Sequence, residues 1–174
     1  MTTRLTPELW LRADPRMPYV LTLSHADGSV SEVTAQEWLA IWAHNQLTGP
    51  IPPTILQLFE TSLACIAYGY FCYPLFTLGL EQVFRVAESA IAIRSKQLAI
   101  PSSKRRFVDR IDWLVEAGHI PTSDRASWHA IRAFRNYASH PSHHTIYSPG
   151  QVAAMLGQLS KAISALFTPR AGAA

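Results

Sequence analysis

Across the stretch Arg135-Asn136-Tyr137-Ala138-Ser139-His140-Pro141 the chain brings a permanent cation, an amide and an imidazole together. These are groups that metal-independent cleavage of an RNA backbone would use. An imidazole titrates near neutrality, so it can exchange a proton with a 2′-hydroxyl without much tuning. A guanidinium stays charged and offers a planar fork to phosphate oxygens as negative charge builds on a pentacovalent phosphorus. Asn136 can hold the imidazole or a phosphate oxygen through its amide. The same residues also have a plain structural use. Arg135 would then be a charge answering the helix dipole, His140 a residue at the helix stop, and Asn136 a polar helix-end residue.

Two further groups bear on this chemistry. His143 and His144 follow closely, so three histidines fall within five residues. No Asp, Glu or Cys lies beside them, and they lack the i, i+4 spacing of helical metal ligands. Contact with RNA phosphates, or simple exposure, is expected instead, and the sequence calls for no metal or cofactor. The second group is Lys104, Arg105 and Arg106, which cluster with Arg94, Lys96 and Arg110. They read either as RNA-backbone contacts or as a solvated inter-helix face. A net charge of +3 permits nucleic-acid contact without requiring it. Phosphate-binding glycine loops, serine–histidine–acid patterns and dinucleotide fingerprints do not appear.

The elements that must position these residues follow from periodicity. Trp128, Ile131, Phe134 and Tyr137 repeat at three and four, the mark of an amphipathic helix, and Pro141 stops it at about Ser139 or His140. On that helix Asn136 and His140 share a face while Arg135 points away, and the break at Pro141 lets His140 turn back. Residues 1–49 form an N-terminal extension. Its opening is an irregular arm, and strand-like runs at Tyr19–Leu23 and Ser29–Thr34 flank Asp27-Gly28. Thr34 and Glu37 then have the capping-box spacing ahead of Trp38, Ile41 and Trp42. Gly49-Pro50-Ile51-Pro52-Pro53 breaks the chain, and a helical bundle follows over residues 53–168. Its first helix runs from Thr54 to Tyr73, and Pro74 either kinks it or starts another that reaches about Leu98. Ser103 caps the next, Gly118 closes it, and Ser148-Pro149 opens the last. The fold class expected is all-α, an antiparallel helical bundle with a small N-terminal β-hairpin plus helix.

The run Thr61–Leu80 is uncharged and long enough for a bilayer, yet it contains Pro74, two glycines and three tyrosines. With no basic flank it reads as buried core, so no membrane is expected as a partner. Cys65 and Cys72 lie two turns apart and read as small buried hydrophobes in a reducing compartment, here cytoplasmic. Charges near the start interrupt any signal peptide.

Arg135-Asn136, three spacers and His140 resemble the arginine–polar–x3–histidine signature of the HEPN superfamily. Leu80-Glu81-Gln82-Val83-Phe84-Arg85 on an apolar helix, the Lys104-Arg105-Arg106 connector and a final Ala/Leu-rich helix fall in that family's order. The resemblance covers about Pro53 to Phe167. It implies a homodimer with facing motifs and an RNA groove between them. In active members it implies a metal-independent endoribonuclease of toxin or antiphage-defence type, often held by an antitoxin or regulatory protein. The alternative it implies is a catalytically silent HEPN module that binds a protein partner or nucleotide. Carried over residue by residue, Arg135, Asn136 and His140 are the catalytic set. Glu81, at the family's Leu-Glu position, is the first choice to orient Arg135, with Glu88 on the same helix as the other candidate.

Overall fold

The computed structural model describes residues 6–23, 28–140 and 146–169. Among these, an antiparallel ladder of β1 (Leu21–Leu23) and β2 (Val30–Glu32) precedes six α-helices. They are α1 (Ala35–Ala43), α2 (Pro53–Tyr68), α3 (Tyr73–Gln97), α4 (Phe107–Glu116), α5 (Arg125–Ala138) and α6 (Pro149–Phe167). The fold is all-α, as expected from the sequence. The long helix α3 is the axis of the bundle, and α2, α4, α5 and α6 all pack on it.

The uncharged run resolves into a helical hairpin. Helix α2 ends at Tyr68 rather than at Tyr73, and Pro74 sits in the first turn of a new helix, where its missing N–H costs nothing. Close packing explains the early stop. A β-carbon on Gly69 would lie 2.6 Å from Cβ of Phe76, and one on Gly79 would lie 2.7 Å from Ile66 Cγ1 and 2.9 Å from the Ser62 carbonyl oxygen. The two helices therefore approach backbone to backbone. Among the described residues, no helix is long and apolar enough to cross a membrane.

The N-terminal extension shares the bundle's core. Thr34 and Glu37 form the expected capping box, with Glu37 N donating to Thr34 Oγ1 at 3.2 Å and Thr34 N to Glu37 Oε2 at 2.8 Å. This starts α1 so that Trp38 and Trp42 point inward and are almost wholly buried. Their rings lie 5.2 and 5.3 Å from that of Phe76, and Trp38 Nε1 donates to the Ala67 carbonyl at 2.9 Å. The arm that reads as irregular is tied down by Asp14, which is 4% exposed. Its Oδ2 accepts from the backbone N–H of Tyr73 at 3.0 Å, and its own N–H donates to the Tyr70 carbonyl at 2.8 Å. Asp14 thus caps α3 from almost sixty residues away, since Cys72 supplies no capping side chain.

Helix α4 opens later than Ser103 suggests. Phe107 is its first residue, and Asp109 reaches back to accept from the Arg106 backbone N–H at 3.2 Å. At its other end Gly118 takes φ +75°, the left-handed conformation that glycine adopts cheaply. Helix α6 opens on a capping box between Ser148 and Gln151, and buries Val152, Leu156, Leu159 and Ile163.

Candidate functional site

Helix α5 is set by its apolar stripe. Trp128 and Ile131 are buried, and Phe134 stacks on Phe84 of α3, with ring centroids 5.6 Å apart and planes 11° from parallel. At its start, Asp112 of α4 accepts from Arg125 Nη2 at 2.7 Å and lies 3.1 Å from His129 Nε2. Burial alone would raise the Asp112 pKa, but the hydrogen bonds and charges of Arg125 and His129 outweigh it and hold the carboxyl below its usual range. Both ends of α5 are therefore fixed, one on α4 and one on α3.

Arg135 follows Phe134 directly, and its Nε donates to Glu88 Oε2 at 2.6 Å. The carboxylate beside the guanidinium is thus Glu88, not Glu81. The Phe84–Phe134 stack packs α5 on α3 one residue before Arg135, and the Arg135–Glu88 contact lies one turn of α3 after Phe84, whereas Glu81 lies in the turn before. Seven residues separate the two glutamates, about 10 Å along a helix. Arg135 and Glu88 are 32% and 29% exposed as side chains, so the pair is partly desolvated yet open to solvent. Among the described residues, the two terminal nitrogens of Arg135 form no hydrogen bond.

The helix ends at Ala138, one residue short of the expected stop, with the Ser139 N–H donating to the Arg135 carbonyl at 3.2 Å. Asn136 and His140 are both exposed. The His140 backbone N–H donates to the Tyr137 carbonyl at 3.1 Å, which holds the residue in a turn continuing the helix end. Pro141, His143 and His144 lie outside the described residues. Tyr137 and Phe134 are exposed large aromatics on the same helix. Phe134 also lines a hollow of about 510 Å³ between α5 and α6, together with Ile131, Met155 and Leu159.

The connector cations separate into two kinds. Arg106 is committed to Asp109, with Nη2 2.8 Å from Oδ1. Lys104 and Arg105 instead line a hollow at the C-terminal end of α3, which includes neither Glu88 nor Arg135. Among the described residues no group of three or more His, Cys, Asp and Glu is placed to hold a metal ion.

The family model for a domain of unknown function (DUF4145) matches residues 83–168, just under half of the chain. The matched segment holds Glu88, Arg135, Asn136 and His140, and leaves out Glu81, α1 and α2. No curated protein and no solved structure matches the chain.

Proposed function

We propose that this chain is a metal-independent endoribonuclease of the HEPN type, working as a homodimeric toxin or antiphage effector. The observation that carries the reading is the anchoring of Arg135. Its Nε is held by Glu88 at 2.6 Å while its terminal nitrogens remain uncommitted among the described residues, five residues before the exposed His140. A guanidinium fixed at one edge presents the other to a phosphate without further ordering, which is how preorganised charge lowers a barrier. Glu88 is then a positioning residue rather than a proton carrier.

In the proposed reaction His140 takes the proton of a 2′-hydroxyl as its oxygen attacks the adjacent phosphorus. Arg135 stabilises the charge on the non-bridging oxygens, with Asn136 as an additional amide donor. The bond from phosphorus to the 5′-oxygen breaks, and that oxygen takes a proton from solvent water as it leaves, while the proton on His140 passes back to solvent. The products carry 2′,3′-cyclic phosphate and 5′-hydroxyl ends. The exposure of Phe134 and Tyr137 along the motif helix supports a twofold interface there, since aromatics are favoured at subunit contacts. His143 and His144 follow the same helix and are assigned to RNA contact.

The experiment uses purified full chain with mixed RNAs in EDTA, beside His140→Ala and Arg135→Ala. Cleavage by wild type should fall about 10²–10⁴-fold without His140 and about 10²–10³-fold without Arg135. Activity that survives both substitutions, or that EDTA abolishes, refutes the assignment. A second reading, a silent module that binds a protein partner, is favoured by the exposed aromatics beside the α5–α6 hollow. A folded wild type that leaves varied RNAs intact selects it.

A further inference from the structure

Three segments far apart in sequence meet at Tyr73, the first residue of α3, which is buried in the core. From the N-terminal arm, Asp14 Oδ2 accepts the Tyr73 backbone N–H at 3.0 Å, and the Arg16 guanidinium lies over the phenol ring, 5.1 Å from its centroid. Asp14 Oδ1 also accepts the Arg16 backbone N–H at 3.1 Å. One carboxylate therefore holds both the start of α3 and the residue that covers the ring. On its other side the Tyr73 hydroxyl donates to the Tyr147 carbonyl at 2.7 Å. Burial pushes the phenol pKa above its ordinary value, against a smaller opposing effect of Arg16, so the group keeps its proton and stays a donor. Tyr147 directly precedes Ser148, whose side chain caps α6. Among the described residues it is also the first buried side chain after His140, seven positions on.

We propose that Tyr73 is a joint through which the N-terminal arm governs the entry to α6. With the arm seated, the chain behind His140 is clamped at Tyr147; with the arm lifted, it is released. The two contacts act in series. Cys72 offers no capping side chain, so without Asp14 the first turn of α3 frays and carries the Tyr73 ring with it. A hydroxyl–carbonyl bond of 2.7 Å is lost once the ring moves by more than about 1 Å. The arm is suited to such movement. Trp10, Leu11 and Tyr19 are largely exposed, so it buries little of its own apolar surface and belongs to the class of segments that open locally. The coupling is independent of the nuclease reading.

The test is amide hydrogen exchange of the full chain, followed by NMR under native conditions. Ser148, Gln151 and Val152 are the reporters, because their N–H groups bond within the cap of α6. Tyr73→Phe removes only the hydroxyl and should speed exchange there by about fivefold, the scale of one lost hydrogen bond. Asp14→Ala should also speed it, although Asp14 bonds to α3 and not to α6. Asp14→Asn keeps a capping oxygen and should return the reporters close to their wild-type rates. Asp14→Ala/Tyr73→Phe should exchange no faster at the reporters than Tyr73→Phe alone, since both act through one bond. Asp112→Asn, which loosens the tie between α4 and α5, should leave the reporters unchanged. Arg16→Gln, with a smaller effect, covers the case in which Asp14→Ala folds poorly. The proposal is overturned if Asp14→Ala quickens exchange only near Tyr73, or if Tyr73→Phe leaves the reporters at wild-type rates. It is also overturned if the two effects add, or if Asp112→Asn moves the reporters equally.

Discussion

The Glu88–Arg135 pair can be tested without assuming any activity, through a double-mutant cycle in urea with Glu88→Gln, Arg135→Gln and the double variant. A hydrogen bond to a charged group contributes about 1.5–3 kcal/mol when shielded, whereas exposed ion pairs contribute about 0.2–1 kcal/mol. With both side chains about a third exposed and a 2.6 Å contact, the coupling should fall between these limits, about 1 kcal/mol. Unfolding slopes for domains near this size are about 2 kcal/mol per molar urea, so that coupling corresponds to about 0.5 M in midpoint. The same substitutions at Glu81 should show little coupling to Arg135. Coupling below about 0.3 kcal/mol at Glu88, or a larger value at Glu81, would show that Glu88 does not hold the guanidinium. If the chain cleaves RNA, Glu88→Gln should lower turnover more than it weakens RNA binding, because charge is kept while alignment is lost.

Three further outcomes are expected. Gly79→Val should destabilise by about 3 kcal/mol or more, since the new side chain meets Ile66 and Ser62 backbone atoms that cannot swing aside; a melting temperature within a degree of wild type would contradict that packing. Asp112 has a lowered pKa, so its contribution is complete above the unfolded value of about 3.9 and is lost as pH falls through the lower folded value. Unfolding measured from pH 6 to pH 3 should therefore be less acid-sensitive in Asp112→Asn, and identical profiles would count against the α4–α5 tie. Asp14→Ala should cost about 1–2 kcal/mol in chemical denaturation, the scale of a lost helix cap, and a neutral result would deny the cap.

Much of this architecture is legible because local patterns and tertiary packing agree. The Thr34–Glu37 box, the stripe of Trp128 and Ile131, and Ser148-Pro149 all mark elements where they occur. The stop of α2 at Tyr68 was not legible, because Gly69 and Gly79 act through contacts with a second helix that periodicity does not contain. Glu81 and Glu88 were equally poor subjects for the sequence. They lie on either side of Phe84 at spacings of three and four, so both reach the same face, and only the way α5 packs on α3 chooses between them. The capping role of Asp14 rests on a contact with a residue distant in sequence and had no local signal. Lys96 and Arg110 read as members of a charged run, and only the turn at Ala99 gathers them around one hollow.

The reach of Asp14 across the chain changes where the molecule can be cut. The Gly49–Pro53 break looks like a natural place to begin a shorter protein carrying only α2 to α6. Such a fragment would lose the cap on α3 and leave the Tyr73 N–H, on a buried residue, without its acceptor. It would also strip Trp38 and Trp42 from Phe76, exposing an aromatic surface at the tip of the α2–α3 hairpin. An isolated bundle should therefore associate or precipitate, and inactivity of such a fragment would say nothing about Arg135 or His140.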